Sequence, residues 1–125
     1  MSSALRFFLG FACISAAISI GLSAIAAHGL TLAIQDAQAL AGALDMQRFH
    51  VLGLLILVVL ARQSGIHTWA MTTGAFFVAG TLLFSVNFKL RLLYGIELLR
   101  PLVPSGGMAF MAGWTALAIA LWKLK

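Results

Sequence analysis

The sequence predicts an all-α integral membrane protein, a four-helix bundle with a short amphipathic helix between its first and second spans. Three observations lead there. Three long stretches, Phe7 to Gln35, Gln63 to Phe88 and Pro101 to Trp122, contain no Asp, Glu, Lys or Arg, and each is long enough to supply the roughly 20 apolar residues that cross a bilayer. A shorter run of the same kind, Phe49 to Ala61, lies between Arg48 and Arg62. The whole chain is 62% hydrophobic and only 9% charged, against about 25% charged in soluble domains.

The first span is expected over about 5–27. Arg6, an apolar run and Ala24-Ile25-Ala26 imitate a secretory signal peptide, but the uncharged stretch exceeds the roughly 7–15 residues of a typical signal core. It reads as a retained helix. Leu30, Ile34, Ala37, Ala41 and Leu44 then recur every three or four residues, with Gln35, Asp36, Gln38 and Asp45 largely elsewhere. That spacing predicts an amphipathic helix lying on the membrane surface or capping the bundle. The second span is the doubtful one, because Phe49 to Ala61 gives only about 20 Å of helix at 1.5 Å per residue. Ala43, Leu44 and Met46 extend its apolar surface, and Arg48 and Arg62 can snorkel to the interfaces, so a span over about 44–63 follows. The third is expected over 66–88. Leu90 to Arg100 reads as a solvated connector in which Glu97 and Arg100 are spaced for an ion pair. Pro101 and Pro104 break the chain before a fourth span over 105–124, with Ser105 as its cap.

All 125 residues fit one membrane domain. The net charge of +5 is scattered, with no basic stripe, and gives no reason to expect a nucleic-acid partner. Four spans put Arg6, Arg62, Lys123 and Lys125 on one side and Arg48, Lys89, Arg91 and Arg100 on the other. The positive-inside rule is thus evenly balanced, and Arg6 before the first helix points to cytoplasmic termini. The single cysteine, Cys13, lies inside the first apolar run as a small packing residue.

Ser15, Ser19 and Ser23 form one stripe on the first helix, and Ala17 and Gly21 form a small-xxx-small pair. In lipid, small residues let helices approach and hydroxyls bond across the contact, so both read as packing faces. A solute path along the serines is the alternative. No Asp or Glu lies inside any of the four apolar runs, which argues against a proton or ion route. His28 closes the first span and His50 opens the second, so an up-and-down topology brings both to one membrane face. Two imidazoles there can ligate haem iron or a metal, or hydrogen-bond a quinone. No Cys accompanies them, so the pair is incomplete as a usual metal site, and interfacial histidines more commonly satisfy backbone groups or water. No cofactor is expected, and an electron-transfer protein binding haem, a metal or a quinone through His28 and His50 is the alternative. His67 and Trp69, with Trp122 at the far end, read as interface residues. Trp114 falls mid-span after Gly113 and reads as a knob packed on a neighbouring helix.

"AAHGL" at 26–30, "RFHVLGLL" at 48–55, "GTLLFS" at 80–85 and "PSGGMAFMAGW" at 104–114 together resemble the small four-helix membrane proteins of the domain of unknown function 423 family, called transmembrane protein 256 in animals. The resemblance covers nearly the whole chain, and its matching positions are His28, Gly29, His50, Pro104, Gly106, Gly107, Gly113 and Trp114. It implies four spans and an uncleaved first helix, and it implies no established activity. The chain departs from the pattern at Val86-Asn87-Phe88-Lys89, where small residues and a leucine-tyrosine pair are usual, and at Val103, where threonine is. The expectation is a non-enzymatic inner-membrane protein, a structural or accessory component that meets the bilayer and either a membrane-protein partner or its own copies.

Overall fold

A computed structural model describes residues 1–124, so Lys125 lies outside the described residues. Helix α1 covers Ser3–His28, α2 Ile34–Ser64, α3 His67–Gly80, α4 Asn87–Tyr94 and α5 Val103–Trp122. A π-helical stretch, Thr81–Val86, joins α3 to α4 without a break, and a 3-10 turn, Arg100–Leu102, leads into α5. Four helical segments are therefore long and apolar enough to cross a membrane: α1, α2, the composite His67–Tyr94, and Arg100–Trp122. Among the described residues there is no strand. The most extensive contacts are between α3 and α5 and between α1 and α2, with α2 also against α3.

Local chemistry sets the ends. Ser2 caps α1, its hydroxyl accepting the Leu5 N–H at 3.3 Å, and the Gly29 N–H closes the last turn on the Ile25 carbonyl at 2.7 Å. Helices α2 and α4 both stop at a glycine in the left-handed region, Gly65 at φ 69° and Gly95 at φ 66°, where a side chain would be strained. Helix α5 begins earlier than the prolines suggested. Pro104 sits in its first turn, where the missing N–H costs nothing, and Ser105 is not a cap: its hydroxyl donates back to the Leu102 carbonyl at 2.5 Å. Glu97 and Arg100 meet through the backbone, Arg100 N–H to Glu97 carbonyl at 2.9 Å, rather than as an ion pair.

The amphipathic segment is helical but is not separate. It forms the first turns of α2, whose 31 residues reach about 46 Å at 1.5 Å per residue, well beyond a hydrocarbon core of about 30 Å. Its inner face also differs from the expected one: Ile34 is 78% exposed, whereas Leu40 is 1% exposed and is buried with Ala43 and Leu44. The overhang carries the exposed Gln35, Asp36 and Gln38.

The bundle closes by setting aromatic rings against glycines. A Cβ built on Gly74 would lie 2.3 Å from the Phe8 ring, one on Gly80 2.4 Å from the Phe110 ring, and one on Gly113 2.7 Å from the Phe77 ring. Phe77, wholly buried, is the centre of this packing. At Gly106 the approach is to main chain, with a hypothetical Cβ 2.7 Å from the Phe84 nitrogen. The start of α5 thus rests on the π-helical turn itself.

Candidate functional site

Two polar constellations lie inside the bundle, one centred on His50 and one along the α1–α2 seam. His50 is 3% exposed and lies about 24 Å along α2 from Ile34. Its Nδ1 is 2.7 Å from the Met46 carbonyl one turn back, which must accept, so Nδ1 carries the proton. The Trp114 indole N–H then donates to Nε2 at 3.2 Å. Phe110 stacks on the imidazole with centroids 3.5 Å apart, and Phe49 and Phe77 meet it edge-on at 5.3 and 5.4 Å. A neutral histidine with both nitrogens engaged is a positioned polar pin between α2 and α5. To bind haem iron or a metal, Nε2 would have to release Trp114.

His28 takes no part in this. It is exposed at the end of α1, while His50 is buried in the bundle, sixteen positions into an α2 that begins at Ile34 rather than near Leu44. The expected His28–His50 site is therefore not assembled. Among the described residues, no group of three His, Cys, Asp or Glu side chains is placed to hold a metal ion. Beside His50 a groove of about 560 Å³ is lined by Met46, Phe49, Phe84, Phe110, Met111 and Trp114, almost wholly apolar. Gly107 also borders it with open space around its Cα. Of the positions the resemblance picks out, Gly106 meets the π stretch, Gly113 meets Phe77 of α3, and His50 and Trp114 join α2 to α5. Gly29 closes α1, and Pro104 starts α5.

The serine stripe faces α2. Ser15 and Ser19 are buried and Ser23 is half-buried. Ser19 donates its own hydroxyl to the Ala16 carbonyl at 2.8 Å, while the Ser15 and Ser19 carbonyls accept from α2. Gln47 donates to the Ser15 carbonyl at 2.9 Å. Arg48 donates to the Ser19 carbonyl at 3.2 Å and to the Ser23 hydroxyl, and pairs with Asp45 at 3.2 Å. Arg48 is thus tied to α1 while its side chain stays 39% exposed beside an Asp45 that is 75% exposed. It binds helix to helix. Gly21, by contrast, has no protein atom within 4 Å of where a Cβ would stand, so it packs on nothing within the chain. Lys89, which the expected spans leave outside the membrane, is 7% exposed and donates to the side-chain amide oxygen of Gln47. The signal that could have found it is the sequence of the departing segment itself, in which Asn87 and Lys89 follow an apolar helix without a helix breaker.

The His50–Trp114 bond gives a direct prediction. Trp114→Phe keeps a ring against Phe77, 5.0 Å away between centroids, but leaves Nε2 buried without a donor. The expected loss is about 1–3 kcal/mol, read as lowered resistance to denaturing detergent. It should come with a shift of the His50 Nε2 nitrogen resonance.

A family model described as Protein of unknown function (DUF423) matches residues 22–107. The UPF0382 inner membrane protein YgdD of Escherichia coli K12 is 35% identical over 122 residues, covering 96% of this chain and 92% of its own. The UPF0382 membrane proteins YwdK of Bacillus subtilis and SAB0533 of Staphylococcus aureus are each 32% identical, covering 95% of this chain and 98% of theirs. No solved structure matches significantly.

Proposed function

The chain belongs to the DUF423 family of membrane proteins, and on that premise we propose that it is a non-enzymatic structural or accessory component of a larger assembly in the inner membrane. The outer face of α1 carries the proposal. Gly10, Cys13, Ala17, Gly21 and Ala24 are all exposed, and at 100° per residue they fall on one stripe opposite Ser15 and Ser19. The apolar window of α1 is only 22% buried within the chain, against 50% for α2. A face of small residues gives up side-chain contact with lipid but allows another helix to approach closely. The buried polar groups do not suggest catalysis either: His50 has no nucleophile beside it, and the serine hydroxyls have no base.

Cys13 stands in this stripe and is exposed, so it reports on what lies against it. Thiol cross-linking in intact membranes is expected to give one discrete adduct. That adduct should disappear in Cys13→Ser and fall several-fold when Gly21→Ile fills the stripe. Its mass separates a second copy from a different subunit. A protein that remains a solitary monomer in mild detergent, with no adduct in membranes, would refute the proposal.

A further inference from the structure

We propose that Lys89 and the groove beside it form a binding site for an anionic phospholipid, the phosphate held by the ammonium and one acyl chain lying between α1 and the π–α4 segment. The argument starts from an uncompensated charge. Lys89 is 7% exposed, and its ammonium carries three donors, of which the structure engages one, with Gln47 as acceptor. The nearest neighbours supply no anion. Gln47 turns its amide nitrogen to the Ser15 carbonyl, and Arg48 is positive and already paired with Asp45. Arg91 lies over the Phe88 ring, 4.7 Å from its centroid. Among the described residues the Arg48–Asp45 contact is the one ion pair, so Lys89 has no carboxylate partner. A cation left this way in a membrane helix is costly unless a counter-charge reaches it.

The space beside it has the shape of such a partner. A groove of about 370 Å³ is lined by Phe11, Ile14 and Ile18 of α1, by Leu82 and Val86 of the π stretch, and by Leu93 of α4, with Gln47 and Lys89 as its polar floor. That volume falls in the range of about 300–1,000 Å³ usual for small-molecule sites. From Tyr94, which rims it, to Leu82 the groove runs about 18 Å along the helix at 1.5 Å per residue. Lys89 lies about 7 Å from the Tyr94 end. Tyr94 is 74% exposed and the helix stops at Gly95, so this end lies toward the membrane surface. A headgroup anion therefore enters at the end where phosphates reside, and the apolar part points into the bilayer. Charge complementarity selects an anionic lipid over a zwitterionic one, because a choline group would bring a second cation next to Lys89 and Arg48.

The site is independent of what packs on α1, whose small-residue stripe is on the opposite side from Ser15. Purified full-length protein is loaded with phosphatidylglycerol or phosphatidylcholine of identical acyl chains, and retained lipid is counted by native mass spectrometry. Wild type is expected to retain the glycerol lipid at least tenfold better, and Lys89→Met to lose that preference while staying folded, since an apolar side chain replaces a buried charge. Ile18→Trp, which fills the groove and leaves Lys89 in place, is expected to reduce retention of the glycerol lipid several-fold. Millimolar inorganic phosphate should not compete. Equal retention of the two lipids by wild type would overturn the proposal, as would a preference that survives Lys89→Met. Competition by free phosphate would also overturn it, since the site would then hold an anion and no acyl chain.

Discussion

Gly106→Val is expected to destabilise the bundle by about 3 kcal/mol, the upper part of the usual range for overpacking, and Gly107→Ala by nothing measurable. The two residues are adjacent in one motif, but their surroundings differ. A Cβ on Gly106 would meet the Phe84 nitrogen at 2.7 Å, the Phe84 Cβ at 2.8 Å and the Leu83 carbonyl carbon at 3.0 Å. Two of these are main-chain atoms of the π-helical turn and cannot swing aside as a side-chain tip would. Relief requires α5 to move off the turn, which would also loosen Phe110 and Trp114 around His50. Gly107 has nothing within 4 Å, and exchanging it for alanine in a helix gains up to about 1 kcal/mol of propensity. Unfolding in mixed micelles by a denaturing detergent measures both. If Gly106→Val unfolds at the wild-type midpoint, α5 does not rest on the turn as described.

Phe77→Ala is expected to cost about 2–3 kcal/mol, less than the roughly 3–5 kcal/mol typical of phenylalanine truncation in a water-soluble core. The difference has a physical origin. In a soluble protein the truncation forfeits transfer from water as well as leaving a cavity, whereas here the unpacked helix would meet lipid tails about as apolar as the core. The packing loss remains. Phe77 is wholly buried, a Cβ on Gly53 would lie 3.0 Å from its ring, and the Trp114 ring is 5.0 Å away. The same unfolding titration reads the value. The resulting void also removes the clash at Gly113, so Gly113→Ala should be far less harmful on the Phe77→Ala background than on wild type, a coupling that a double-mutant cycle measures.

The spans were legible because a bilayer demands length and apolarity together, and four stretches of this chain meet that demand. What was not legible came mostly from one place. The three-to-four-residue spacing of apolar residues from Leu30 to Leu44 predicts a separate surface helix, and with the second span starting near Leu44 this puts His50 close to a membrane face. Instead α2 runs unbroken from Ile34, His50 is buried in the bundle, and His28 has no counterpart. The pattern predicts Arg48 at the interface, but it does not show that Ser19 and Ser23 on α1 offer oxygen acceptors that tie the half-exposed guanidinium to a second helix. Trp114 and Gly113 read in the sequence as a packing knob, and in the structure Trp114 packs on the core while Gly113 faces the Phe77 ring. Which partner they meet, Phe77 and His50, depends on the relative rotation of three helices, which no local pattern encodes. The π-helical stretch carries only weak marks, such as Thr81, whose hydroxyl donates to the Phe77 carbonyl at 2.8 Å, a bond that competes with the regular ladder.

The ring-on-glycine contacts bear on how this sequence can drift. At Phe8 with Gly74, Phe110 with Gly80 and Phe77 with Gly113, the partners come from different helices, and each ring occupies the volume that its glycine lacks. A methyl group added at the glycine alone produces a clash, and a ring lost alone leaves a hole. The viable exchange at such a pair changes both members in compensation, a smaller ring partner for a larger glycine replacement, so descendants of this chain should alter these positions two at a time.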